Sequence, residues 1–154
     1  MRIETTTAGG ITHSLLRTIA GILFLMHGGQ KFFGWFGGVD GQGGTVELMS
    51  LFGLAGILEL VGGTLIILGL FTRPAAFILS GQMAVAYFMA HFPKAFWPIE
   101  NQGEPAALFS FIFLFLAFNG AGPLSLDAMR TRPAAEVERG AIERDITRRR
   151  HRAA

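Results

Sequence analysis

Four runs of apolar residues, each near the length needed to cross a lipid bilayer, constrain this chain more than any other feature. A membrane-spanning helix takes roughly 17–25 mostly apolar residues. Residues 15–33 supply the first run, interrupted by Arg17, His27, Gln30 and Lys31. Residues 51–71 supply the second, with Glu59 as its one charge, and 75–92 the third, carrying Gln82, Tyr87 and His91. Residues 106–120 form a short fourth run rich in Phe and Leu. There Phe109, Phe111, Phe113 and Phe115 alternate as a strand would. An isolated strand leaves its backbone unsatisfied in lipid, so the pattern is read as helix. Composition agrees: 16% of residues are charged, against about a quarter in soluble domains. The expected fold is all-α, an integral membrane four-helix bundle.

The breaks between runs have local causes. Glycines at 34, 37, 38, 41, 43 and 44 unwind the chain after the first run. Thr72-Arg73-Pro74 makes a tight turn, with Pro74 where a first helical turn tolerates it. Pro93, Pro98 and Pro105 break the segment before the fourth run, and Gly120, Gly122 and Pro123 end it. The polar stretch 1–14 lacks the apolar core of a cleaved signal peptide, so the first run is expected to act as an uncleaved anchor. The chain divides into an N-terminal segment 1–14, a membrane domain 15–127 and a basic tail 128–154. With no cysteine, disulfides, thiolate-bound clusters and a Cys-x-x-Cys redox pair are excluded.

Basic residues orient the spans. Four crossings put both termini and the 72–74 turn on one side, which then holds all eleven Arg; the other side holds only Lys31 and Lys94. By the positive-inside rule both termini are cytoplasmic. The tail ends in Arg148-Arg149-Arg150-His151-Arg152. It reads as a solvated topology anchor or a weak surface helix against anionic lipid. No aromatic or groove-reading element accompanies that charge, so nucleic acid is not an expected partner.

Ionisable groups within spans are costly and face the bundle interior. Counting along each run, His27 lies roughly 9 Å, Tyr87 roughly 7 Å and Glu59 roughly 12 Å below the outer face. Lys31, His91 and Glu104 fall near the rim, so one outward polar pocket is the simplest arrangement. A structural reading pairs Glu59 with Lys31. Two histidines and a tyrosine exceed what one ion pair requires, which favours proton transfer or ligand binding. Arg17 and Arg73 near the inner face could be neutralised by Asp127. His27, Glu59 and His91 are weak as a metal set without a close ligand pair, and His91 sits too near the rim for a haem axial ligand. Glycines seven residues apart, Gly21 and Gly28, Gly56 and Gly63, Gly62 and Gly69, suit close helix packing.

These residues resemble a known family. The pattern Leu16-Arg17, Gly21, Phe24, His27-Gly28, Lys31-Phe32 looks like the first helix of DoxX-family membrane proteins. Glu59 with Gly62-Gly63 and Leu68-Gly69-Leu70, then Thr72-Arg73, is similar to the second. Asn101-Gln102-Gly103-Glu104 and the close Gly120 to Asp127 fit as well. The likeness covers 15–127. It implies a multi-pass protein of the bacterial inner membrane, with oxidoreductase assignments, quinone-coupled relatives and partners in membrane complexes. On that basis the leading expectation is a redox-associated subunit binding a quinone-like molecule. His27, Glu59 and Tyr87 would handle protons, and Lys31, Phe32, Phe88, His91 and Glu104 would line the pocket. An accessory subunit without catalysis and a small-solute or proton transporter are the alternatives.

Overall fold

The computed structural model describes residues 7–131, and within them the chain is all-helical apart from an isolated bridge between Gly38 and Gly44. The helices are α1 (Thr7–Phe33), α2 (Leu51–Leu68), α3 (Thr72–Ala86), α4 (Pro98–Asn101) and α5 (Glu104–Asn119). Two of them, over Ala8–Phe33 and Leu51–Leu68, are long and apolar enough to cross a membrane; α5 is apolar but shorter. The residues before 7 and most of the basic tail expected at 128–154 lie outside the described residues.

Helix ends follow from local chemistry. The Ser50 hydroxyl accepts the Gly53 N–H at 3.0 Å and caps α2, satisfying one of the donors a helix start leaves free. Gly69 ends α2 in the left-handed conformation (φ 63), which a Cβ would strain, and Leu70 N–H closes back on Leu65 O at 3.0 Å. Asp127 caps α3, its two oxygens each taking one N–H, from Phe71 and Thr72, at 2.9 Å. Past Ala86 the third helix widens into a single π turn over Tyr87–His91, with Phe92 N–H reaching Tyr87 O at 2.9 Å.

The four long helices run antiparallel to their neighbours. Gly63 lies against α1 so closely that a Cβ there would sit 2.9 Å from Leu25 N and 3.1 Å from Gly21 O; a Cβ on Gly28 would sit 2.7 Å from Leu60 Cγ. The small residues therefore let two backbones touch, the usual means of helix association in lipid. α3 and α5 are joined by reciprocal bonds, Ser80 Oγ to Ser110 O at 2.9 Å and Ser110 Oγ to Ser80 O at 3.1 Å. Phe24 from α1, Ile66 from α2, Leu79 from α3 and Phe113 and Leu116 from α5 meet in one core.

The exterior is inverted relative to a water-soluble bundle. Large apolar side chains point outward on every long helix, among them Ile19 (55% exposed), Val61 (57%), Phe77 (66%) and Phe111 (71%), while Arg17 (2%) and Glu59 (5%) are buried. Apolar surface on this scale marks a surface made for apolar surroundings.

The loop 34–50 folds back onto α1. Val46 N–H donates to Lys31 O at 2.9 Å, and the Gln30 amide donates to Gly38 O at 2.8 Å. Asp40 Oδ1 accepts N–H bonds from Gln42 and Gly44, both at 2.8 Å. Those two donors hold the Asp40 carboxyl below its ordinary range.

Candidate functional site

The polar residues of the Lys31 end separate into distinct groups. The first lies between α1, α2 and α3. Lys31 Nζ donates to both Glu59 oxygens, at 2.8 and 2.7 Å. Glu59 sits at the centre of α2 because Gly56, Gly62 and Gly63 on either side bring α1 and α3 against that face. Gln82 of α3 completes the group: its amide nitrogen donates to Ala55 O at 3.2 Å and stands 3.5 Å from Glu59 Oε1. The Gln82 carbonyl oxygen is buried and has no partner among the described residues.

His27 shares the Lys31 face at i,i+4 spacing but turns towards α5. Its ring meets Phe109 edge-on at 6.2 Å and 89°. Phe109 in turn stacks with Phe113 at 5.7 Å, and Phe24 packs on both. His27 makes no hydrogen bond to any other element among the described residues, and its side chain is exposed. The seam between α1 and α5 is thus aromatic, open at the surface at His27, and carries a second imidazole, His13 against Phe115, at its other end.

Tyr87 and His91 form a separate group at the end of α3. Their rings stack at 6.4 Å. His91 Nδ1 meets Asn101 O at 3.0 Å, the Tyr87 hydroxyl donates to Phe96 O at 3.3 Å, and Asn101 Nδ2 reaches Tyr87 Oη at 3.5 Å. Asn101, 2% exposed, also donates to Ala95 O at 2.8 Å and accepts the Gly103 N–H at 2.7 Å. These bonds brace the loop 92–103. No hydrogen bond joins this group to Lys31 and Glu59 among the described residues. Phe32 packs on Gly56, whereas Phe88 and Glu104 point outward.

At the opposite end the expected ion pairs give way to backbone bonds. Arg17 donates to Ala121 O at 2.9 Å, Leu124 O at 2.7 Å and the carbonyls of Ile66 and Ile67. Those last two belong to the final turn of α2, where carbonyls lack intrahelical donors and a cation is favoured. Asp127 serves the start of α3 instead, where an anion is favoured. Neither Arg17 nor Arg73 lies within salt-bridge distance of Asp127; the pair Lys31–Glu59 is the one ion pair among the described residues. Likewise no cluster of three His, Asp or Glu suited to a metal occurs among them.

Residues 13–92 match the sequence pattern of the DoxX family. The chain belongs to that family. It is 45% identical over 117 residues to an uncharacterized protein of Haemophilus influenzae, covering 74% of this chain and 87% of that one. It is 30% identical over 120 residues to a Bacillus subtilis protein named "Putative oxidoreductase CatD", covering 73% of this chain and 82% of the relative. No solved structure matches it.

In this DoxX chain the sequence signals of Lys31, Glu59 and Arg17 were strong because each is a charge within an apolar run. Asn101 and Gln82 escape such a reading. Neither is charged, and their burial arises from tertiary packing. The polar Asn101-Gln102-Gly103-Glu104 stretch was the available signal for the brace, since Gly103 admits the Tyr87 ring where a Cβ would meet Tyr87 Cε2 at 2.6 Å.

Proposed function

We propose that this DoxX chain is a four-span protein of the bacterial inner membrane, with both termini cytoplasmic and a membrane domain over 15–127. In this reading it serves as a redox-associated subunit that binds a quinone-like ring at the Lys31 end. The outward apolar surface supports the membrane setting, and the eleven Arg on one side support the orientation. The oxidoreductase name of the B. subtilis relative supports the redox assignment.

The observation that carries the ligand reading is the open aromatic seam at His27. A lipid-dissolved quinone needs lateral access, a flat apolar slot and a donor for a carbonyl oxygen. The exposed imidazole beside Phe109 supplies the donor and opens sideways, and the neighbouring rings supply apolar surface. When bound, such a ring accepts two electrons and two protons; a partner redox protein supplies the electrons. His27 donates the hydrogen bond and delivers both protons in turn from its ring nitrogen, taking up a proton from the outer aqueous face after each. Lys31, one helical turn away, is paired with Glu59 and keeps that end of α1 polar. Tyr87 and His91, tied to Asn101 and Phe96 in their own group, brace the neighbouring loop, and Phe32 stays against Gly56 of α2.

A short-chain ubiquinone titrated into the purified protein tests this, with the fluorescence of Trp35 and Trp97 as the readout. Saturable quenching is expected, and His27→Ala weakens it about tenfold, the worth of one hydrogen bond of about 1.4 kcal/mol. Absence of saturable quenching, or an unchanged affinity in the variant, overturns the reading.

A further inference from the structure

The strongest unassigned feature is a cleft of about 520 Å³ at the Arg17 end, lined by Phe71, Thr72, Arg73, Gly120, Asp127 and Arg130 among others. Its chemistry is unusual in three respects. Two guanidinium groups flank it, and neither has a carboxylate within 4.0 Å among the described residues. Arg130 is held in place over the Phe71 ring, 4.9 Å from its centroid, and Arg73 lies over Gly120, with Nε 3.4 Å from where a Cβ would stand. Asp127, the acidic residue lining the cleft, already spends an oxygen on each of the Phe71 and Thr72 N–H groups. Finally, Thr72 lines the cleft, is 0% exposed, and its hydroxyl has no hydrogen-bond partner among the described residues. Buried hydroxyls are seldom left so.

We propose that this cleft binds the phosphate of an anionic phospholipid headgroup, with Arg73 and Arg130 as its cationic walls and the enclosed Thr72 hydroxyl as a donor once the lining side chains part. The volume falls within the range of small-molecule sites, about 300–1,000 Å³. The lipid source follows from what surrounds the cleft. Phe71 (53% exposed), which lines the cleft, presents apolar surface there, which suits acyl chains and serves no purpose for free phosphate. Arg is matched to phosphate by its planar fork of donors. The inference rests on the orientation proposed above for its biological setting, since that orientation puts the cleft at the cytoplasmic leaflet, where anionic lipid concentrates. Binding itself does not depend on it.

The test uses the full chain purified in a neutral detergent. Phosphatidylglycerol, phosphatidylcholine and inorganic phosphate are each titrated while the melting temperature is followed, and native mass spectrometry counts retained lipids. Phosphatidylglycerol is expected to raise the melting temperature selectively. Each of Arg73→Gln and Arg130→Gln should cut the preference about fivefold, the effect of one basic residue at an anionic surface. Thr72→Val, which keeps the shape of a buried residue, should reduce it without altering the melting temperature of the lipid-free protein by more than a small step. Equal responses to the two lipids, or Arg variants that respond like the parent, overturn the proposal. A response to inorganic phosphate equal to that for phosphatidylglycerol overturns the lipid assignment in favour of a free-anion site. Because detergent micelles have no sidedness, a negative result leaves the orientation intact. Single cysteines added to this cysteine-free chain and labelled in intact cells check that orientation separately.

Discussion

Removing either member of the Lys31–Glu59 pair should destabilise the protein, and the two losses should be unequal. Glu59 is 5% exposed and takes both of its short bonds from one ammonium. Deleting one partner of a buried ion pair leaves an uncompensated charge and costs about 3–5 kcal/mol. The asymmetry comes from position. Lys31 is two residues from the end of α1, and its side chain is 17% exposed. In Glu59→Gln it can straighten towards the headgroups, as long basic chains do near helix ends, so the loss falls near the lower bound, about 3 kcal/mol. In Lys31→Met, Glu59 remains eight residues inside α2, roughly 12 Å along its axis, with only the 3.5 Å Gln82 contact. That loss belongs near the upper bound, about 5 kcal/mol. The double variant Lys31→Met/Glu59→Gln should recover most of it, because removing the two charges together leaves neither uncompensated. Unfolding of the four proteins in one detergent, treated as a double-mutant cycle, measures the coupling, expected at about 3 kcal/mol or more. A coupling below about 1 kcal/mol, or Glu59→Gln costing more than Lys31→Met, refutes the reasoning.

Arg17→Gln, which strands carbonyls at the end of α2 and in the segment 121–124, should cost about 3 kcal/mol or more by thermal unfolding; a loss under about 1 kcal/mol would show that water replaces the guanidinium there. Gly63→Val drives new carbon into Leu25 N and Gly21 O and should lower stability by about 1–3 kcal/mol, with helix separation visible by spin-label distances. The Asp40 turn should respond to acid. Its carboxyl titrates below its ordinary range in the folded loop, so its contribution is full above the unfolded value of 3.8 and is lost as pH falls through the lower folded value. Amide exchange at Gln42 and Gly44, corrected for intrinsic rates, should therefore accelerate only below pH 3.8, and Asp40→Ala should show that loosening at neutral pH; protection that is flat with pH would sink this account.

The all-helical fold was legible because apolar runs of bilayer length have few alternatives, and α2 shows how sharply. Ser50, Glu59 and Gly69 mark its start, its polar face and its stop. The ion pair between Lys31 and Glu59 was also within reach, since two lone charges in apolar helices seek one another. What escaped was the division of the polar residues. Counting depth along separate helices treats them as levels on parallel rods, and levels carry no information about azimuth. His27 and Lys31 share a face, yet a small rotation sends one towards α5 and the other towards α2. The π turn at Tyr87–His91 inserts an extra residue into the helical repeat and redirects both rings towards Asn101, which no periodicity announces. The early start of α1 was hidden by composition: Thr7 to Ser14 are polar, but His13 and Ser14 find partners in Gly120 and Leu124, which only tertiary contact supplies.

The bonds of Arg17 also set an order of events for biogenesis. α1 is synthesised and inserted first, yet its guanidinium needs two carbonyls from the end of α2 and two from the segment after α5. Until the ribosome has released the chain beyond Leu124, that charge stays partly unsatisfied in a half-built bundle. A chain that ends before residue 121 thus lacks the two contacts that Arg17 makes with Ala121 O and Leu124 O. Chains cut after Gly120 should be inserted and then cleared rapidly, whereas the same truncation in an Arg17→Leu background should persist longer.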